Sequence, residues 1–237
     1  MAEKKQFQPG KGLTIAVVIS LIILSSLGTW QARKVGPKTA MLAQIERGLE
    51  AAPIKLPVHV DDPTQLNYRK VYFSGTSNPA APLKLFGTNT DGKPGYYLYS
   101  PVKTTFGMAV LVNWGWIPMT EDTLPELPIG DVTVTGVLRT SAEASSFTPP
   151  NDPVAGAWYV ADVHEMAAAF GLRTKEYYHF RIFSDQIGPD GALPLGGQVR
   201  VDIPNNHLQY TITWFGLATT LLVIYILLGL KRGRENS

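Results

Sequence analysis

Two long uncharged runs dominate the pattern of hydrophobic and polar residues along the chain. Residues 13–30 and 210–230 form runs of 18 and 21 residues without a formal charge. A helix rises about 1.5 Å per residue, so each run can cross most or all of the ~30 Å hydrocarbon core of a bilayer. The pattern therefore predicts two transmembrane helices. A cleaved secretory signal is an alternative for the first run, because Ser26 and Gly28 are small enough for a cleavage site.

Between these runs the chain consists of short β-branched and aromatic segments separated by Gly, Pro, Asn and Asp, which is typical of strands and turns. No helix of a dozen residues interrupts residues 55–139, so we predict an antiparallel sheet or partial barrel rather than a parallel β-α-β sheet. The continuously apolar run 110–112 fits a central strand. The predicted strands are 69–75, 82–86, 96–102, 109–117, 132–138, 176–183 and 199–202.

Two short helices are predicted beside these strands. Residues 38–49 carry apolar side chains at helical spacing, and Pro37 suits the first turn of a separate helix there. Asp162 and Glu165 have the spacing of an N-cap and its capping-box partner, which predicts a helix ending at Phe170.

These elements define the predicted fold class, an α+β membrane protein in which two transmembrane helices flank a mainly antiparallel β domain with one or two short helices. The central segment is long enough to bury a hydrophobic core of its own. The predicted domains are a cytoplasmic tail (1–12), a transmembrane helix (13–30), an extracytoplasmic domain (31–209), a second transmembrane helix (210–230) and a second cytoplasmic tail (231–237).

The basic residues of the two tails predict the orientation in the membrane, since Lys and Arg favour the cytoplasmic side. They are Lys4, Lys5, Lys11, Lys231, Arg232 and Arg234. A third basic cluster, within residues 33–38, lies on the predicted outer side, but long domains translocate largely regardless of charge. We expect a bacterial inner membrane with the central domain in the periplasm. A mitochondrial inner membrane is less favoured, because the N-terminal tail is short and contains Lys rather than Arg.

Composition excludes several classes of function. The net charge of +2 is too small to favour nucleic acid as a partner, and the absence of cysteine excludes disulfides and thiolate metal sites. No Gly-rich phosphate loop, Gly-x-Ser-x-Gly elbow or His-Glu-x-x-His pair occurs. Three classes remain: an assembly or cofactor-holding factor, a membrane-anchored enzyme, and an extracytoplasmic scaffold or sensor. We favour a protein that is not an enzyme.

The strongest candidate for chemistry is His207, just before the second apolar run. On a helix that begins a turn early, His207, Tyr210, Thr211 and Trp214 share one face. An imidazole above aromatic rings at the membrane surface is competent to bind a metal. The alternative interpretation is an ordinary membrane interface, where Tyr and Trp gather because their rings are amphipathic.

Three segments resemble signatures of the surfeit locus protein 1 family. The C-terminal segment is Asn205-Asn206-His207-Leu208, Tyr210 and Thr213-Trp214-Phe215-Gly216-Leu217-Ala218, and the N-terminal segment is Leu27-Gly28-Thr29-Trp30-Gln31 with Lys38. The third is Leu111-Val112-Asn113-Trp114-Gly115-Trp116-Ile117-Pro118, which is similar to an Asn-Arg-Gly-Trp-Val-Pro box. Three positions depart from the family pattern: Lys34, Pro37 and Trp114 replace the usual Arg, Trp and Arg.

The resemblance implies a cytochrome c oxidase assembly factor with two membrane anchors around one soluble domain. Copper delivery is disfavoured, because copper(I) prefers soft ligands and the chain has neither Cys nor a Met cluster. The family's bacterial members are linked to haem a at the matching histidine, so the expected cofactor is haem a, with His207 as the ligand of the haem iron. Trp30, Tyr210 and Trp214 are the expected pocket walls. The expected partners are the oxidase catalytic subunit, the enzyme that synthesises haem a, and membrane lipid.

Two further groups of residues have both functional and structural interpretations. Asn113, Gly115 and Trp116 fit either a ligand surface or, with better odds, a strand with a glycine bulge and one buried ring. His179 and Arg181 share one face of a predicted strand, which we expect to be solvated. A metal site at His164 is discounted, because no second histidine lies three or four residues away.

Overall fold

A computed structural model describes residues 7–79, 81–121, 123–199, 201 and 205–235. Within these residues the helices are α1 (Lys11–Glu50), α2 (Val163–Ala169) and α3 (His207–Glu235), and a 3-10 turn lies at Pro63–Leu66. The strands are β1 (Ile54–Lys55), β2 (Lys70–Ser77), β3 (Leu83–Thr88), β4 (Pro94–Thr104), β5 (Ala109–Pro118), β6 (Gly130–Thr140) and β7 (Tyr177–Ser184). Contacts divide the chain into a terminal unit, the described residues of 1–44 and 202–237, and a central unit, Ile45–Val201.

The terminal unit contains the two apolar helices, and both are long and apolar enough to cross a membrane. Only 11% of the most apolar 18-residue segment of each helix is buried, whereas the core helix of a soluble protein is mostly buried. Small residues pack the helices together: a Cβ at Gly28 would lie 3.0 Å from the ring of Phe215. Close approach at small residues is the usual way in which membrane helices associate.

The prediction of a separate helix at residues 38–49 is wrong, because α1 continues without a break through Pro37 to Glu50. A proline within a helix removes one backbone hydrogen bond. Helix formation is cooperative, and the good helix formers at 31–34 and 38–47 extend the helix on both sides of Pro37.

The central unit is built on a seven-stranded sheet with the order β1-β2-β6-β7-β5-β4-β3 and an additional pairing of β2 with β4. That pairing joins residues 75–77 to residues 102–104. It closes strands β2, β6, β7, β5 and β4 into a five-stranded barrel. The pairs are antiparallel except β1 with β2 and β5 with β7. The sheet is thus mainly antiparallel, as predicted, with two parallel pairs that were not. Val199 and Val201 lie outside any strand, whereas the remainder of the predicted strand 199–202 falls outside the described residues.

Apolar side chains from all five strands of the barrel fill its interior, which we call the barrel core. They include Val71, Phe73, Val102, Val110, Val112, Trp114, Val134, Leu138, Tyr178, Phe180 and Ile182. A second cluster, the outer layer, packs α2 and Trp158 against the outside of β3, β4 and β5. Strand β5 is therefore buried on both faces, which explains its continuous apolar run.

Helix α2 begins as predicted at the N-cap Asp162, whose carboxylate accepts hydrogen bonds from the backbone N–H groups of His164 and Glu165. The predicted capping-box contact is absent, because Glu165 Oε2 accepts instead from Asn151 Nδ2 at 2.7 Å. Gly171, at φ +71°, follows the helix in the left-handed conformation that favours glycine.

Candidate functional site

Helix α3 starts at His207, which is the early start that the sequence predicted. The backbone N–H of Tyr210 donates to the carbonyl of Asn206 at 3.0 Å, and the Thr211 hydroxyl donates to the carbonyl of His207 at 2.8 Å. The first turn is thus regular, and His207, Tyr210 and Trp214 share one helix face.

The imidazole of His207 has a partner on the other helix of the terminal unit. Gln31 Oε1 lies 2.8 Å from His207 Nδ1. The contact suits an imidazole that donates from Nδ1 to the amide oxygen, with Nε2 as the other ring nitrogen. It orients a ring that is half-buried.

A second contact links α1 to the residues that precede α3. Asn205 Nδ2 donates to Thr39 Oγ1 at 3.5 Å, while Asn205 Oδ1 is buried and has no hydrogen-bond partner among the described residues. The polar residues before α3 are thus held against α1, although one buried acceptor remains unsatisfied. Buried polar groups are normally paired, which makes this acceptor an unusual feature.

The three predicted wall residues are available but are not packed against one another. Trp30 and Tyr210 are about half exposed, at 51% and 50%, and Trp214 is partly buried. No ring contact links these three residues in the described part of the chain. Trp30 instead lies beneath the ammonium group of Lys34, 4.1 Å from the ring centroid. Lys34 thus makes a cation–π contact at a position where the family pattern has arginine.

Residues 111–118, the family-like segment in β5, form a buried strand with a glycine bulge rather than a ligand surface. Asn113, Trp114 and Trp116 are all at least 96% buried, so two rings are buried rather than one. Gly115 has φ +139° opposite a register shift in β4, as expected of a glycine bulge. Trp114 belongs to the barrel core, where its Nε1 donates to Ser100 Oγ at 2.6 Å. The residue that replaces the family's arginine is therefore a core residue.

The prediction that Arg181 lies on a solvated face is wrong. Arg181 is only 8% exposed, because the outer layer covers its side of β7, whereas neighbouring His179 is exposed. Its Nη1 donates to the hydroxyl of Tyr99 at 3.3 Å, and its Nε has no hydrogen-bond partner among the residues that the structure describes. Arg139 lies directly opposite on β6. The pKa of Arg139 is lowered mainly by burial, with a further contribution from the charge of Arg181, although Tyr68 opposes the shift.

His164 makes its side-chain contact within the central unit. Its Nδ1 lies 2.6 Å from the hydroxyl of Tyr177. Burial raises the pKa of Tyr177, and the nearby negative charge of Asp162 raises it further. Among the described residues, no group of three or more His, Asp or Glu side chains is arranged to hold a metal ion.

The sequence did not reveal the contacts or the burial of three residues. Gln31 was noted only as part of a motif, and nothing in the chain pairs it with His207, which lies 176 positions away. Arg139 and Arg181 carry a weak signal, since each lies on a strand where apolar residues alternate with it. That pattern indicates side chains that point out of the barrel. Only the tertiary structure shows that the outer layer covers this face of the sheet.

Comparison with known proteins places these features in a family. The model of the SURF1 family matches residues 18–219. A SURF1-like protein of Rickettsia felis is 32% identical over 217 residues, which cover 90% of this chain and 95% of that protein. A SURF1-like protein of Rickettsia bellii is 33% identical over 215 residues, covering 89% of this chain and 88% of that protein. Surfeit locus protein 1 of Homo sapiens is 29% identical over 216 residues, covering 81% and 69% of the two chains.

Proposed function

The chain belongs to the SURF1 family, and from that premise we propose that it is a membrane-anchored assembly factor for cytochrome c oxidase that holds or hands over haem a. In this role it is not an enzyme. Its partners are the catalytic subunit of the oxidase, the enzyme that synthesises haem a, and membrane lipid.

Membrane anchoring is supported by the exposure of apolar side chains on both helices of the terminal unit. Ile15, Ile22, Ile212 and Leu227 are all more than 60% exposed. Water would not favour so much uncovered apolar surface on two helices, whereas the hydrocarbon core of a bilayer would. The basic residues at both ends favour cytoplasmic tails and a periplasmic central unit in a bacterial inner membrane.

The single observation that carries the cofactor proposal is the contact between Gln31 and His207. Iron-ligating histidines usually donate their other ring N–H to an oxygen acceptor, which orients the ring and raises its basicity. Gln31 Oε1 has this position with respect to Nδ1. His207 Nε2 is consequently the nitrogen with a free lone pair, as an axial ligand requires.

The surroundings of His207 suit a large apolar group. Trp30, Tyr210 and Trp214 leave ring surface uncovered by the fold, and aromatic faces stack well on a macrocycle. When bound, haem a supplies the redox chemistry of its iron. His207 would hold the iron through Nε2, Gln31 would orient the imidazole, and the three aromatic rings would cover the macrocycle.

The test is the optical spectrum of the full chain, purified in detergent from cells that make haem a. We expect a stoichiometric haem band in the parent protein. His207→Ala removes the axial bond but leaves the apolar helix intact, so it should insert into membranes, lose most of the haem and slow oxidase maturation. Matched controls are His59→Ala, His164→Ala and His179→Ala, which should keep the haem band.

The wall residues are tested with two substitutions at one position. Trp214→Phe keeps an aromatic ring and should weaken haem binding only partly, whereas Trp214→Ala should weaken it more. If His207→Ala binds haem as well as the parent while another histidine variant does not, the ligand assignment is wrong. A parent protein without haem, which still supports oxidase maturation, would indicate a scaffold without a cofactor.

A further inference from the structure

Two positive charges face each other on the outside of the barrel. Arg139 in β6 and Arg181 in β7 are direct cross-strand partners in an antiparallel pair. The Cβ atoms of such partners lie about 4.5–5.5 Å apart, and like charges in this arrangement destabilise a sheet. A fold that keeps this pair needs a compensating negative charge or accepts a cost in stability.

Arg181 carries the larger cost of burial of the two, because only 8% of its surface is exposed. Its guanidinium packs on the ring of Phe183, 5.3 Å from the centroid, and Nη1 donates to Tyr99. Its Nε–H is buried and has no hydrogen-bond partner in the described part of the chain. Leaving a charged donor unpaired in the interior normally costs several kcal/mol.

Within the part of the chain that the structure describes, no carboxylate neutralises this charge. Neither arginine forms an ion pair with a described residue. Arg139 is held by a hydrogen bond from Nε to Asn67 Oδ1 at 3.2 Å and by the ring of Tyr68, 3.8 Å away. Glu143 is the one carboxylate among the described residues that line the same cavity, but it is exposed and bonds to neither arginine.

The hydroxyl group of Tyr99 is a neutral hydrogen-bond donor beside Arg181. Its hydroxyl oxygen accepts from Arg181 Nη1 and from Asn113 Nδ2, each at 3.3 Å. The hydroxyl hydrogen has no acceptor among the described residues. Because Tyr99 is fully buried, bulk water does not supply the missing acceptor.

These donors line one cavity of about 290 Å³, whose walls include the rings of Phe86, Tyr97, Tyr159 and Phe183. We propose that this cavity binds a small organic carboxylate with an apolar or aromatic body, its carboxylate held by Arg181 Nε–H, the Tyr99 hydroxyl and Arg139. The site lies wholly within the central unit and is independent of the haem proposal.

The aromatic walls select an organic carboxylate over an inorganic anion. The planar fork of arginine matches carboxylate and phosphate equally well, so the guanidinium groups alone do not discriminate. Phosphate, however, is hydrated on all sides and would leave the four rings without a partner. A ligand with one charged end and an apolar body satisfies both halves of the cavity.

Benzoate is a suitable probe, and benzamide is its neutral analogue of the same shape. Thermal unfolding of the full chain in detergent is followed by tryptophan fluorescence at constant ionic strength. A ligand that binds only the folded state raises the midpoint in a saturable manner. We expect this for benzoate, with no rise for benzamide and a smaller rise for sodium phosphate.

Substitutions at the two arginines link the effect to the cavity. Arg181→Met and Arg139→Met should each weaken benzoate binding by about tenfold or more, since each removes a charged partner of the carboxylate. Without ligand, Arg181→Met should be at least as stable as the parent, because it replaces a buried unpaired charge with an apolar chain. If Arg181→Met does not fold, Arg181→Lys keeps the charge but loses the fork and should weaken binding severalfold.

Matched controls separate this site from general anion binding. Arg173→Met removes an exposed arginine that pairs with Glu176 and should leave benzoate binding unchanged. Glu143→Gln should leave binding unchanged or strengthen it. The proposal is overturned if benzoate produces no saturable rise, if both arginine variants bind it like the parent, or if phosphate stabilises the protein as much as benzoate does.

Discussion

Gln31 in α1 and His207 in α3 form a hydrogen bond of 2.8 Å between Oε1 and Nδ1, across 176 positions of sequence. The bond couples the residue after Trp30 to the first residue of the second apolar helix. It orients the imidazole of His207 and connects the N-terminal and C-terminal segments that resemble family signatures.

Replacing the partner of His207 should weaken haem binding without removing the ligand. In Gln31→Leu the imidazole loses its acceptor, and outer-sphere partners of this kind are worth about 10–100-fold in metal affinity. Haem titration of the detergent-purified variant, after haem extraction, measures this loss. Gln209→Leu makes the same change at an exposed position of α3 and should bind haem normally. Equal affinity of Gln31→Leu and the parent would remove the orienting role assigned to Gln31.

The orientation in the membrane can be checked with reporter fusions. Because both tails are basic, a reporter that works only in the cytoplasm should be active after Ser237 and inactive in the central unit. Asn89 is a poor insertion point, since it is buried and its side chain accepts two backbone hydrogen bonds within its turn. Phe147 is 97% exposed in a loop and is a better one. Activity at Phe147 and silence at Ser237 would reverse the topology.

The central unit should fold without the apolar helices. Both the barrel core and the outer layer are formed entirely by residues between 56 and 195. A fragment of residues 45–201 should therefore be soluble, with a strand-dominated far-UV circular dichroism spectrum and a cooperative thermal transition. A helix-dominated or non-cooperative result would mean that the barrel depends on the terminal unit.

The bulge at Gly115 should not tolerate a side chain. A Cβ there would lie 2.6 Å from the backbone oxygen of Leu195, and φ is +139°. We expect Gly115→Ala to lower the free energy of unfolding by more than about 2 kcal/mol, from conformational strain and overpacking together. Gly107→Ala has a positive φ of +90° but no atom within 4 Å of the new Cβ, so it isolates the conformational strain. Chemical denaturation should show Gly107→Ala as the milder change, and the reverse order would contradict the close approach.

The N-cap of α2 should contribute measurably to stability. Asp162→Ala removes the acceptor for two backbone N–H groups and should cost about 1 kcal/mol. Asp162→Asn retains an oxygen acceptor and should cost much less. Thermal midpoints of the two variants provide the comparison, and an equal loss in both would assign the effect to charge rather than to capping.

The central strands and the start of α3 could be predicted because they depend on local patterns. The run 110–112 is continuously apolar since β5 is buried on both faces, and the spacing of His207 and Trp214 gives one helix face wherever the helix begins. Helix caps are also local: the side chain of Asp162 accepts hydrogen bonds only from backbone N–H groups two and three residues further along the chain. Periodicity and capping are properties of a few consecutive residues, and they survive in any tertiary context that keeps the element.

The tertiary structure decided what depends on distant neighbours. Closure of the barrel requires residues 75–77 to pair with two strands at once, and no local pattern encodes that register. Arg181 has the alternation of an outward residue, yet the outer layer buries it, since burial depends on what covers a face and not on the strand alone. The partner of His207 is likewise set by the packing of α1 on α3. Sequence by itself thus determined most of the strands, helix α2 and the place of His207 at the start of α3, whereas long-range packing determined the orientation of the His207 imidazole and the arginine-lined cavity.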